Sequence, residues 1–230
     1  MCGYRGLAEA PRRGHPAVMP FNVMELAQAE RADFAELLEG LTPEQWEAPS
    51  LCERWRVRDV AAHVLSYEEL STLPLARRFA RGRFTINRTN AVGVAEFAEQ
   101  SPEQLLELAR RSMTPRGLSS MFGGRIALAD GMVHQQDIRR ALGIPRSIPP
   151  ERLKIALDFA RFAPAIGLPA AGRVRGLKLV ATDMDWSAGR GPEVRGPAEA
   201  LLMAVAGRHG ITDELSGDGQ PTLAKRITRS

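Results

Sequence analysis

Ile126-Ala-Leu-Ala-Asp-Gly-Met-Val-His-Gln-Gln-Asp-Ile138 is the stretch on which the fold turns. It reads as the middle of a helix running from about Gly124 to Leu142, with Gly143 as its stop. Within it, Asp130 and His134 stand four residues apart and share one face. At about 1.5 Å of rise per residue their α-carbons lie roughly 6 Å apart, so both side chains can reach one ion. Asp137, three residues after His134, is either a rival ligand or a group that holds His134 from behind.

A second helical stretch, Val57-Arg-Asp-Val-Ala-Ala-His-Val-Leu65, sets His63 among apolar neighbours. Two imidazoles and a carboxylate from two helices are the donor set of a three-ligand metal site, with a position left for water, thiolate or substrate. Of the other two histidines, His15 and His209, both fall in Gly/Pro-containing loop sequence. Spacing alone does not fix the ligand role, because helices are rich in charged pairs four residues apart.

Working outward, the first helix is predicted over Val23 to Glu39, stopped by Gly40, with Glu30 interrupting its apolar stripe. Thr42-Pro-Glu-Gln45 and Ser101-Pro-Glu-Gln104 each carry an N-cap hydroxyl, a proline at the first helical position and a box glutamine. The first opens a short turn and the second a helix to about Met113. The helix bearing His63 is expected to run toward Leu70 or beyond, and Pro149-Pro-Glu151 opens another that ends near Ala163. After Pro164 the pattern changes. Gly176 to Trp186 reads as a strand, Ser187-Ala-Gly-Arg-Gly-Pro192 as a turn, and Glu193-Val-Arg195 as its returning strand. A helix with Pro197 at its first position follows to Arg208, and then a turn-rich, basic tail.

The expected fold is therefore α+β and mainly α. Residues 1–20 form an unstructured tail, 21–163 an antiparallel helical bundle, and 164–225 a small α/β domain. Translation starting at Met19 or Met24 would remove most of the tail. Bundle interiors are common places for metal sites.

Composition narrows the function. No apolar run approaches the ~20 residues of a membrane span. The Arg-bearing first 20 residues lack the apolar segment of a secretory signal. Two isolated cysteines, Cys2 and Cys52, make neither a CxxC motif nor a structural disulfide, which fits a reducing cytoplasm. The net charge of +4 is spread along the chain without a nucleic-acid-binding motif, so neither a nucleic acid nor a membrane is an expected partner. A monomer or a homodimer is expected.

Trp46-Glu-Ala-Pro-Ser-Leu-Cys-Glu-Arg-Trp-Arg-Val-Arg-Asp-Val-Ala-Ala-His63 resembles the opening signature of the mycothiol-dependent maleylpyruvate isomerase family. Asp130…His134 with Asp137 resembles its second block. Leu179-Val-Ala-Thr-Asp-Met-Asp-Trp186, Gly191 to Ala200 and Ala206-Gly-Arg208 resemble its third. The resemblance implies a DinB-like four-helix bundle followed by a sterol-carrier-like α/β domain. It implies a divalent metal, zinc being the usual ion, held by His63, Asp130 and His134. It also implies mycothiol as co-substrate. Asp130 departs from the family's usual glutamate by one methylene.

On this resemblance, the ion activates mycothiol for attack on an electrophilic substrate, by cis–trans isomerisation or S-transfer. A non-catalytic metal- or thiol-binding module is the alternative. Arg208 is the candidate catalytic arginine, able to bind a substrate carboxylate with two parallel hydrogen bonds. A helix-end arginine meeting the helix dipole is the plainer role for it. Trp46, Trp55 and Trp186 are expected to be core or lid aromatics, and Cys52 a small buried hydrophobe.

Overall fold

The computed structural model describes residues 22–68, 70–162 and 170–228. The expected tail, the Met19 start and the expected boundary between 163 and 164 lie outside the described residues. Eleven α-helices and a three-stranded sheet are assigned among those residues.

Helix α1 (Val23–Glu39) starts where Asn22 accepts the Met24 N–H and ends at Gly40. Helices α2 (Pro43–Glu47) and α6 (Pro102–Arg111) both begin in complete capping boxes, from Thr42/Gln45 and Ser101/Gln104. Helix α3 (Val57–Leu65) stops earlier than expected, at Ser66, whose hydroxyl donates to the His63 carbonyl. Helix α7 (Arg125–Leu142) ends on Gly143 at φ 66, the left-handed stop that glycine takes without strain. Each of α1 and α3 packs on both α6 and α7, which closes a four-helix bundle. Phe34, Leu38, Val57, Val60, Leu65, Leu105 and Ile138 fill it.

Glu30 breaks the α1 stripe for a physical reason. It is fully buried, and Arg146 clasps it with Nη1 and Nη2 at 2.9 and 2.7 Å while Gln135 donates at 3.0 Å. Arg152 and Asp33 complete the network. The carboxylate is thus a buried anchor for the chain after α7.

Two helices between α3 and α6 escaped the sequence pattern: α4 (Thr72–Arg81) and α5 (Ile86–Glu96). Neither has a side-chain N-cap bond, and neither buries an apolar face. Their seam is polar. Arg78, 2% exposed, donates to Glu96 at 2.7 and 3.0 Å and to the Ser66 carbonyl at 3.0 Å. Gly93 admits that guanidinium, since a Cβ there would lie 2.9 Å from Arg78 Nη1.

Helix α8 (Pro150–Ala160) packs on α7 and on the C-terminal helix α10 (Ala198–Ala206). Leu128, Met132, Leu157, Leu179, Leu201 and Leu223 belong to one core, so the bundle and the C-terminal unit share an apolar interior. A short α9 (Ala170–Val174) precedes the sheet. Strand β1 (Lys178–Ala181) is central, antiparallel to β2 (Ser187–Gly189) and parallel to β3 (Glu193–Gly196). This corrects two expectations. Ser187-Ala-Gly189 is a strand rather than a turn, and it is the returning one. Glu193–Gly196 crosses to the other edge and runs with β1. Three small residues, Ser187, Ala188 and Gly189, hide β2, yet Gly189 at φ 90 is required there, because a Cβ would meet the Leu177 carbonyl oxygen at 2.2 Å.

Pro197 is the N-cap of α10 rather than its first helical residue, and Asp183 Oδ1 accepts the Ala198 N–H at 2.9 Å. The expected turn-rich tail holds a further helix, α11 (Gln220–Thr228), that buries only Leu223 and Ile227. Among the described residues, no helix is long and apolar enough to cross a membrane.

Glu30→Ala removes the fully buried carboxylate of the network and leaves Arg146 and Arg152 with the half-buried Asp33. A loss of about 3–5 kcal/mol in unfolding free energy is expected by urea titration. A loss under 1 kcal/mol would contradict the anchoring role.

Candidate metal centre

His63 on α3 and Asp130 and His134 on α7 meet where these two bundle helices pack. One donor atom from each lies within 4.8 Å of the other two. His134 Nε2 is 3.5 Å and His63 Nε2 3.9 Å from Asp130 Oδ1. Two ligands at about 2.1 Å from a tetrahedral ion lie roughly 3.4 Å apart, so the spacing suits an ion better than direct hydrogen bonds. The shorter carboxylate of aspartate reaches the cluster. The two rings stand edge to face with centroids 4.7 Å apart, and Trp55 packs 5.0 Å from His63.

The imidazoles differ behind their inner nitrogens. His134 Nδ1 is 2.9 Å from Asp137 Oδ2. Asp137 is fully buried. Burial alone would raise its pKa, but Arg208 first and His134 next hold it far below the usual carboxylate range. An ionised Asp137 fixes a proton on Nδ1 and aims the Nε2 lone pair at the cluster. His63 Nδ1 is buried with no hydrogen-bond partner among the described residues. Desolvation lowers the His63 pKa, a neutral imidazole being what a cation requires. For His134, burial opposes the charge, but Asp130 and Asp137 outweigh it and raise the pKa well above the ordinary value. Asp130 mirrors this: its carboxyl stays well below the usual range despite burial, held there by His134 and His63.

Arg208 does not extend an open guanidinium into the site. Its Nε and Nη2 donate to the two oxygens of Asp137 at 2.6 and 2.7 Å, and Nη2 also lies 3.3 Å from Cys52 Sγ. The end of α10 sets this up. Gly207 takes φ 87, and the Arg208 N–H bonds back to the Met203 carbonyl at 3.0 Å. A Cβ on Gly207 would collide with Arg173 Cζ at 2.4 Å, so glycine is needed there for space as well.

Cys52, whose place in the loop before α3 allowed it to approach the cluster, does so and is half-buried. Its Sγ donates to Asp137 Oδ2 at 3.0 Å and lies 3.7 Å from His134 Nδ1. Cys52, His134 and Asp137 make a second group at ligating distance. The Arg208 guanidinium already occupies the outer donors of that group, so a cation there would face its charge. Asp137 therefore stands behind His134 rather than replacing Asp130. Trp46 and Trp186 are buried core residues, and Trp55 is the aromatic beside the cluster. His209 lies at the rim of the cavity with Glu53, 3.8 Å away.

The cluster forms part of the wall of a cavity of about 890 Å³. The hairpin loop Leu51–Trp55 lines it, as do the first turn of α5, part of α7 and the segment Ala206–His209. Helix α5 went unseen in the sequence, so this wall was missed.

Residues 27–117 match the family profile described as the mycothiol maleylpyruvate isomerase N-terminal domain. This part of the chain is similar to that domain. The match contains His63 and ends before Asp130. Two solved structures share the fold over 86% of this chain and 92% of their own. One is described as the mycothiol-dependent maleylpyruvate isomerase, with 13% identity and a TM-score of 0.51. The other is a histidine-to-alanine mutant of such an isomerase, with 14% identity and a TM-score of 0.50. No curated protein matches the chain. The isomerase fold thus spans both the bundle and the α/β unit.

Arg208→Ala strands Asp137 in the interior. The expected loss is about 3 kcal/mol of stability at pH 7. The pair's contribution is present above the unfolded carboxylate pKa near 3.8 and is lost as pH falls through the depressed folded value. The gap between variant and parent should therefore narrow in urea titrations as the pH is lowered through the carboxylate range. A gap independent of pH would exclude the ion pair as its source.

Proposed function

We propose that the chain is a mycothiol-dependent enzyme of the maleylpyruvate isomerase type, with His63, Asp130 and His134 as the ligands of a divalent ion. One observation carries this reading: two imidazole Nε2 atoms and a carboxylate converge on the wall of a large cavity, with His134 held from behind by Asp137 and Arg208. The nitrogen and oxygen donors suit zinc among other divalent ions. When bound, such an ion lowers the pKa of a thiol that shares its open position, so that thiolate is available near neutral pH.

The chain's own residues supply the rest. His63 and His134 present neutral nitrogens, and Asp130 offsets part of the ionic charge. Asp137 keeps the Nδ1 proton of His134 in place, and Arg208 keeps Asp137 ionised. Arg208 is thus a positioning residue in this proposal, in place of the substrate anchor expected from its sequence context. Trp55, packed beside His63, covers the imidazoles and limits water at that side. The cavity has room for a thiol and a small electrophile together.

The thiolate sulfur forms a bond to one alkene carbon, and the π pair moves onto a conjugated carbonyl oxygen. The former double bond then rotates. As the pair returns, the carbon–sulfur bond breaks, giving the isomerised alkene and the thiolate. Where the substrate carries a leaving group instead, the same attack forms the carbon–sulfur bond, the bond to the leaving group breaks, and the group departs with that electron pair, giving an S-conjugate.

His63→Ala and His134→Ala are each expected to lower bound metal from about one equivalent to under a tenth, by elemental analysis of purified protein. Mycothiol-dependent turnover of maleylpyruvate should fall at least 100-fold alongside. Full metal content in both variants refutes the ligand set, and stoichiometric binding of metal and thiol without turnover favours a binding module.

The raised pKa of His134 has a consequence for loading. Zinc must displace its proton, so apparent affinity should climb as pH rises from about 6 to 8, with proton release on binding. Calorimetry in buffers of different ionisation enthalpy measures that release, and a pH-independent affinity would remove His134 from the ligand set.

A further inference from the structure

Four arginines line the cavity, and they are not equivalent. Arg208 is committed to Asp137. Arg173 is buried, donating to the Val205 carbonyl at 3.2 Å and packing against Gly207. Arg54 and Arg88 are exposed, and neither has an ion-pair or hydrogen-bond partner among the described residues.

The contrast with their neighbours is informative. Arg56 and Arg58, on the same loop and helix start as Arg54, are engaged by Glu47, Asp59 and the carbonyls of Ala98 and Gln100. Arg78 and Arg81 of the α4–α5 hairpin share Glu96. Arg77 and Arg83 of that hairpin are open as well among the described residues, but they do not line the cavity; of the four arginines that do, Arg54 and Arg88 are the open ones.

Arg54 is also held in a costly backbone state, at φ 68 in the left-handed region that favours glycine. The hairpin enforces it. Pro49 bridges Arg56, Ser50 Oγ donates to the Trp55 carbonyl at 2.9 Å, and the Trp55 N–H returns to the Cys52 carbonyl at 3.0 Å. Arg88 lies on the first turn of α5, after Arg83 and Phe84 at φ 55 and 57. Of the carboxylates lining the cavity, Asp130 belongs to the ion cluster and Glu53 faces His209.

We infer that Arg54 and Arg88 form a carboxylate-recognition subsite at the cavity mouth, selecting the electrophile rather than the thiol. Guanidinium groups recognise carboxylate oxygens through paired, charge-assisted hydrogen bonds. The placement lets a substrate's remote carboxylate be held at the rim while its reactive carbon lies toward the cluster. This assignment rests on the proposed thiol-transfer function for the identity of the electrophile, but not for anion binding itself.

The test uses the zinc-loaded full chain and its Arg54→Gln, Arg88→Gln and double variants, with Arg88→Lys as a charge-retaining control. Each single Gln variant should raise KM for maleylpyruvate about 5- to 20-fold, with kcat falling by less than KM rises and KM for mycothiol unchanged. Maleate titrated calorimetrically should lose affinity by a similar factor. That affinity should weaken with added salt in the parent and less so in the double variant, since these charges are exposed. Arg88→Lys should recover part of the loss. Unchanged maleate affinity in the double variant overturns the subsite, as does a rise confined to the KM for mycothiol. If the parent turns nothing over, the proposed function fails while the maleate titration still decides the subsite: affinity lost in the double variant upholds it, and no binding by the parent refutes it.

Discussion

The ion pair of Asp137 with Arg208 is the constraint on which the candidate centre depends. A fully buried carboxylate is tolerable only when a charge of opposite sign is locked against it. The guanidinium meets both oxygens, and the same carboxylate orients His134. The tautomer of one imidazole is thereby tied to a residue 74 positions away along the chain. Remove the guanidinium, and Asp137 either takes up a proton or is left charged in a dry interior. A protonated Asp137 no longer fixes the proton on His134 Nδ1, and a charged one does so only as a poorly compensated buried anion.

That pair also joins the two structural units. Arg208 follows α10, and Asp137 lies on α7, so the bundle does not complete its own site. The apolar interior runs across the same junction, from Met132 and Leu157 to Leu179 and Leu201. Around its edge Arg140 of α7 binds Glu199 and Glu214 of the C-terminal unit. The residues around His134 are therefore completed only where the C-terminal unit packs on the bundle.

Much of this was legible in the chain. Capping boxes at Thr42 and Ser101 and glycine stops at Gly40 and Gly143 placed α1, α2, α6 and α7, because caps are local chemistry. His63, Asp130 and His134 were legible as a set only through spacing joined to family resemblance. What stayed hidden has a common cause. Helices α4 and α5 pack through Arg78, Glu96 and a glycine, so their buried face has no apolar period to detect. Strand β2 is three small residues whose pairing is set by β1 beside it. The role of Arg208 depends on Asp137, a partner that no local pattern could supply. Cys52 likewise reads as an ordinary small residue until the fold brings it to the same carboxylate.

The polar seam of α4 and α5 has a consequence for how such a protein can diversify. Residues on that hairpin that face the cavity support no apolar core, and exchanging them leaves no void behind. The wall built from α3 and α7 is packed into the bundle and carries His63, Asp130 and His134. One side of the chamber is thus conservative by construction, and the other is open to drift. A lineage can alter which molecule enters the cavity without disturbing His63, Asp130 and His134.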